Sequence, residues 1–283
     1  MAEQASHNQE RENSSKQFEC EKCQDLGFII TRQKSESGYY TDVARPCECQ
    51  ERKALAARLK NAMIPDEFQG ARFDNYQITN RTQEILYNGM VDYIKNFDAI
   101  RSEKQNSLGF MAVIGEQKIK QLPYEQRKAY REQHNNYGLG KTHLTIAAAK
   151  WLIKNARIPD QYGGTRGCRV LCVQDVQFME GLSAAKTLDD GGAEFNKQID
   201  LAVNWADVLV WDDLGKSKHT ETREAIYYRI INARYEQRKP IIFTTNEDAD
   251  TLEDKIGFAA ADRLFGMAKN YLFAVEGESF RTK

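Results

Sequence analysis

The chain has 283 residues, 41% of them hydrophobic and 29% charged, with a formal net charge of −1 at pH 7. That balance allows a sizeable core and excludes a polycation that coats nucleic acid over its whole surface, though not a local basic groove. No apolar run reaches membrane length and Met1 to Ser15 hold no hydrophobic stretch, so the expectation is a cytoplasmic chain whose six cysteines are thiols or metal ligands rather than disulfides.

Residues 1–17, rich in Gln, Glu, Asn and Ser, read as a disordered tail. Cys20, Cys23, Cys47 and Cys49 follow in two close pairs, separated by "GFIITRQ" and "GYYTDVA", which would form a hairpin. Four thiolates in such pairs make a tetrahedral, structural Zn²⁺ site of the zinc-ribbon kind. Residues 18–62 are then a small zinc-binding domain, too short to bury much core of its own. "QERKALAARLKNAMIP" (50–65) predicts a helix ending before Pro65, and 63–80 reads as a linker. "RTQEILYNGMVDYIKNF" puts Ile85, Tyr93, Ile94 and Phe97 near helical spacing. From there to residue 283 strand alternates with helix: "LGFMAVIG", then "THLTIAAAKWLIKN", then "CRVLCVQ". Helices at "DVQFMEGLSAAK" and "AEFNKQIDLAVNW" follow. The strand "DVLVWDD", the helix "TETREAIYYRIINARYEQR" and the strands "PIIFTTN" and "YLFAVEG" complete the series. This is an α/β pattern with a mainly parallel sheet flanked by helices. Cys168 and Cys172, on one predicted strand, read as core thiols.

Ligands of such a sheet bind at the carboxyl ends of its strands. "FMAVIG" ends at Gly115 and the next helix starts at Thr142. Just ahead of that helix stands Gly138-Leu139-Gly140-Lys141-Thr142, the tail of the phosphate-loop pattern G-x-x-x-x-G-K-[ST]. Asn135 occupies the place of the first glycine. Taking Gly115 as that glycine makes Gln117 to Asn136 an insertion in an ATP-binding loop. Lys141 would then contact the β- and γ-phosphates, the Thr142 hydroxyl would help hold Mg²⁺, and His143 would pack near the loop. "DVLVWDDL" ends in Asp212, a Mg²⁺ ligand in this arrangement, and Asp213, able to orient and deprotonate water. Asn246, closing "PIIFTTN", could reach that water or the γ-phosphate. Within the insertion Lys118, Lys120, Arg127, Lys128 and Arg131 outnumber Glu125 and Glu132. Pro123 stands at a helix start, so a short basic helical hairpin is expected beside the ATP site, touching DNA or a neighbouring subunit.

The stretches "IPDEFQGARFDNY", "GLGKTHL", "DVLVWDDLG", "NARYEQRKPIIFTTN" and "AADRLFG", in that order, give the chain from about residue 18 to 283 a resemblance to bacterial helicase loaders of the DnaC/DnaI type, within the AAA+ ATPases. IstB-type transposition ATPases share much of the ATPase part. The resemblance implies an ATPase that loads a hexameric DnaB-type replicative helicase onto single-stranded DNA and self-associates when ATP is bound. It implies that Asp212 and Asp213 are a Walker B pair and that Asn246 is sensor 1. Arg263 would be an arginine finger reaching a neighbour's ATP, and Arg281 a late sensor-2-like arginine. The paired helices before "DVLVWDD" would line a DNA path, with Lys186 and Lys197 as phosphate contacts amid Asp189, Asp190, Glu194 and Asp200. The zinc domain would contact the helicase. Two other functions fit parts of the pattern: a transposition ATPase, and a non-hydrolysing zinc adaptor whose ATP site the insertion has degraded.

Overall fold

The computed structural model describes residues 18–34 and 38–277. The tail 1–17 and Arg281 lie outside them. The chain forms two compact units, one through Ala56 and one from Ala57.

In the first unit β1 (Phe28–Lys34) and β2 (Tyr40–Pro46) form an antiparallel hairpin, followed by the start of α1 (Cys49–Asn61). Few apolar side chains are covered. Ile29 packs on the four buried cysteines, whereas Phe28, Ile30 and Tyr40 are exposed. Polar bonds shape the first knuckle instead. The Asp25 carboxylate accepts the N–H groups of Glu19 and Cys20 at 3.0 and 3.1 Å, and Gly27 N–H donates to Cys23 Sγ at 3.4 Å.

The second unit takes in the last turn of α1. The helix stops at Asn61, short of the boundary expected at Pro65, because Met63 adopts a left-handed φ of 55°. Next comes α2 (Arg81–Ile100), capped by the Asn80 side chain, which accepts Gln83 N–H at 2.9 Å. Its buried stripe is Leu86, Met90, Tyr93, Ile94 and Phe97. Ile85, expected to share that face, is 38% exposed; one residue of offset turns a helix position by about 100°. The order continues with β3 (Leu108–Ala112), α3 (Glu116–Gln121), α4 (Tyr124–Gln133), α5 (Lys141–Asn155), β4 (Arg157–Pro159), β5 (Thr165–Gly167), β6 (Val170–Gln174), α6 (Asp175–Lys186) and α7 (Ala193–Asp200). A π turn over Leu201–Trp205 prolongs α7. Then follow β7 (Val208–Asp212), α8 (Glu221–Glu236), β8 (Ile241–Thr244), α9 (Ala249–Ile256), α10 (Phe258–Ala268) and β9 (Leu272–Val275).

Five strands form one parallel sheet in the order β6-β7-β8-β3-β9. The central strands β3, β7 and β8 are buried along their whole length, as their unbroken apolar runs require in a sheet covered on both faces. The insertion is a pair of helices, α3 and α4, set between β3 and α5. Three elements have no counterpart in the sequence reading: α9, α10 and the β4–β5 hairpin. The hairpin's turn is held by the Asp160 carboxylate, which accepts the N–H groups of Tyr162 and Gly164. Cys168 precedes β6 rather than lying on it, and both it and Cys172 are buried. The guanidinium of fully buried Arg234 donates to the carbonyls of Ala202, Ala206, Asp207 and Pro240, tying α8 to the π turn and to the start of β8. Among the described residues no helix is long and apolar enough to cross a membrane.

Candidate nucleotide site and metal centre

The loop ahead of α5 is bent by two glycines in the left-handed region, Gly138 at φ 67° and Gly140 at φ 82°. A side chain at Gly140 would also come within 2.5 Å of the Tyr76 ring. Tyr76 Oη donates to the Leu139 carbonyl at 2.9 Å, so the loop is clamped from the side by the segment before α2. The N–H groups of the loop and the N-terminus of the 15-residue α5 favour anions. They border a cleft of about 710 Å³. Residues 136–143, Gln174, Asp212, Asp213, Lys216 and Asn246 line it, as do Glu67, Phe68, Asn75, Tyr76 and Gln77.

Lys141 is 7% exposed. Its Nζ donates to the carbonyls of Asn136 (3.1 Å) and Thr245 (3.0 Å) and to Asn246 Oδ1 (2.8 Å). Burial lowers its pKa to about 8, against the opposing pull of the Asp213 and Asp212 carboxylates. Thr142 Oγ1 donates to Asp212 at 2.9 Å, and Thr244 Oγ1 donates to the same carboxylate at 2.6 Å. Burial, reinforced by Asp213, raises the Asp212 pKa. Asp213, the residue after β7, adopts a left-handed φ of 55°. Its carboxylate accepts Lys216 Nζ at 2.6 Å and Asn246 Nδ2 at 3.0 Å, and its N–H donates to Thr244 Oγ1. The structure thus brings together Lys141, Thr142, Asp212, Asp213 and Asn246 at the carboxyl ends of β7 and β8. Chemically this is an ammonium beside anion-binding N–H groups, a hydroxyl–carboxylate pair suited to a divalent cation such as Mg²⁺, and a second carboxylate steadied by an amide.

Of the other candidates, His143 joins the cleft and Gly115, Arg263 and Lys197 do not. Gly115 does not join the cleft. Its N–H donates to Asp248 Oδ2 at 2.6 Å, and a Cβ there would meet the Asp248 and Glu247 carboxylates, so its close packing serves a contact with the turn after β8. His143 lines the cleft, its Nε2 2.9 Å from the Arg72 carbonyl and its ring beside Tyr76. Arg263, on α10, donates to its own helix at Ala259 and lies over the rings of Tyr228 and Tyr235. It is not among the cleft-lining residues. Lys197 is paired with Glu194. Sequence reasoning missed Glu67, Phe68, Asn75, Tyr76 and Gln77. The one signal for the first four was the stretch "IPDEFQGARFDNY", which carried a resemblance but no site role; Gln77 lies just beyond it.

In the first unit the four cysteine Sγ atoms lie within 4.8 Å of one another, with Cys20–Cys47 at 3.7 Å and Cys23–Cys49 at 3.4 Å. A tetrahedral ZnS₄ centre with bonds of about 2.3 Å has edges of about 3.8 Å. The four thiols fit a metal ion of that kind and leave it no open position.

Fold and site together define a nucleotide-binding α/β domain of the AAA+ class. A sequence model of the bacterial DnaA ATPase domain matches residues 92–257, more than half of the chain, and the protein belongs to that family. The uncharacterized protein YqaM of Bacillus subtilis (strain 168) is 26% identical over 261 residues, covering 89% of this chain and 70% of YqaM. A crystal structure of the DnaC helicase loader superposes with a TM-score of 0.53 at 21% identity, over 75% of this chain and 100% of the loader chain. A DNA replication initiation factor superposes with a TM-score of 0.50 at 16% identity, over 74% of this chain and 50% of its own. The chain thus spans half the length of that factor. At these identities the likeness of the two structures is one of fold.

Proposed function

We propose that the protein is an ATP-dependent loader of a hexameric replicative DNA helicase onto single-stranded DNA. The observation that carries this reading is the complete set Lys141, Thr142, Asp212, Asp213 and Asn246, joined in one chain to a four-thiol unit. Lys141 and the loop N–H groups hold the ATP phosphates, Thr142 and Asp212 hold Mg²⁺, and Asp213 with Asn246 orients the attacking water. The four cysteines hold one structural Zn²⁺, and the unit they organise contacts the helicase. Loader subunits assemble with ATP and DNA, and Arg263 of one subunit serves the ATP of the next. The DnaC loader's shared fold supports this reading, and so does the zinc unit, which the transposition-type alternative does not call for.

The test is to mix the protein with hexameric helicases of candidate hosts and size the complexes, with ATP and single-stranded DNA present. One stable, ATP-dependent complex and helicase-stimulated hydrolysis are expected. Association with no helicase would overturn the loader reading. In the same assay, recovery of activity on mixing Arg263→Ala with Lys141→Ala protein is expected, because each supplies what the other lacks. No recovery at any ratio would overturn the intersubunit role of Arg263.

A further inference from the structure

The insertion begins and ends on the nucleotide site. On entry, Gly115 N–H donates to Asp248, Glu116 N–H to the Asn246 carbonyl (3.1 Å) and Gln117 N–H to Glu247 Oε2 (3.1 Å). Lys118 pairs with Asp248 and Asp250, and Lys120 with Glu116. Two of its basic residues are therefore occupied within this corner. On exit, Asn136 is 2% exposed and lines the cleft. Its Nδ2 donates to the carbonyls of Ile114 (3.3 Å) and Asn246 (3.2 Å), while its own carbonyl accepts Lys141 Nζ. Two acceptors facing Nδ2 fix the orientation of the amide, and Oδ1 is left buried with no partner. An orphaned acceptor lowers stability, so the value of this amide lies in its two donor bonds. Those bonds steer Asn246, whose side chain links Lys141 Nζ to the Asp213 carboxylate.

We propose that Asn136 is a positioning residue of the nucleotide site, supplied by the insertion, that fixes Asn246 between Lys141 and Asp213 and thereby sets the rate of hydrolysis rather than the affinity for nucleotide. This rests on the hydrolytic reading given above. Affinity comes from the N–H groups of Gly138 to Thr142 and from Lys141, all of which survive loss of the Asn136 side chain. Hydrolysis needs Asn246 and Asp213 in register, and small displacements of such groups act mainly on kcat.

The experiment compares the full chain with Asn136→Ala, Asn136→Asp, Lys118→Ala and Lys141→Ala variants. It measures binding of a fluorescent ATP analogue and steady-state hydrolysis with helicase and single-stranded DNA. Asn136→Ala and Asn136→Asp, neither able to donate two amide bonds, should keep Kd within about threefold while kcat falls about tenfold or more. Lys118→Ala loosens the same insertion without touching Asn246 and should keep kcat within about twofold. The inference is overturned alone if wild type hydrolyses ATP and Asn136→Ala matches its kcat, if Kd weakens in step with kcat, or if Lys118→Ala loses as much. Wild-type protein with no Lys141-dependent hydrolysis would overturn the functional reading and this inference with it.

Discussion

The two units hold their ligand groups by opposite means. In the first, the four thiols are themselves the core, with Ile29 against them and Phe28, Ile30 and Tyr40 exposed. In the second, Lys141, Asp212, Asp213 and Asn246 sit at the rim of a sheet already packed by Leu209, Val210 and Trp211 of β7, Ile241 to Phe243 of β8, and Leu144 and Ile146 of α5. Where ligand groups make up the core, binding the ligand is folding. Where a hydrocarbon core carries them, binding can be lost and the fold kept.

The largest effect expected from this contrast comes from removing metal. Metal analysis should give about one zinc per chain. Chelation, or Cys47→Ser, should abolish hydrogen-exchange protection across β1 and β2 and end helicase binding, while nucleotide affinity and the thermal transition of the second unit stay unchanged. Loss of nucleotide binding in the stripped protein would break the comparison.

Next is Lys141→Met, which should abolish nucleotide binding, as read by a fluorescent ATP analogue. Stability of the second unit should nevertheless stay within about 1 kcal/mol of wild type, because relief from a desolvated ammonium offsets the loss of its partners on Asn136, Thr245 and Asn246. A collapse in thermal stability would show that the site helps to hold the fold.

A smaller effect follows from the Lys141 pKa of about 8, lowered from 10.5 by burial. A lysine whose folded pKa is depressed opposes folding while it is charged, so its contribution to the stability of the nucleotide-free protein should improve as pH rises from about 8 toward 10.5. Nucleotide binding should respond in the opposite sense. Bound phosphates favour the ammonium, so binding takes up a proton above about pH 8 and affinity should fall by up to about tenfold per pH unit. A flat Kd between pH 7 and 9.5 would contradict this.

The smallest effect concerns Ile29→Ala, which should cost the metal-loaded first unit about 1 kcal/mol, against about 2–5 kcal/mol for Leu144→Ala in the second unit. Hydrogen exchange of the hairpin and thermal unfolding measure the two. Equal costs would mean that the first unit has an apolar core after all.

The sheet was legible in the sequence because its buried strands read as short apolar runs, and the residues that close them, Asp212, Asp213 and Asn246, are polar where such runs stop. Lys141 and Thr142 were legible as the start of a helix after two glycines. Gly115 misled because a glycine at a strand end looks the same whether its N–H faces a ligand or, as here, the Asp248 carboxylate. Residues 63–80 read as a linker by composition, yet Tyr76 seals the phosphate loop across 63 positions of sequence. A contact so distant leaves no periodic trace. Ile85 shows the limit of spacing itself, since position 86 rather than 85 is the first buried apolar side chain of α2.

The strand order also governs how late in synthesis the sheet can close. β3, the first sheet strand to be made, lies between β8 and β9, the last two. The phosphate loop therefore leaves the ribosome well before Thr245 and Asn246, on which Lys141 leans, and before the Leu272–Val275 strand that flanks β3 on its other side. Such long-range parallel pairing is slow to form. The first unit has no such wait, since its hairpin and thiols fall within residues 20–49. During translation the four-thiol hairpin is thus complete early and the cleft only at the end, and a nascent chain stalled before β8 carries the first without the second.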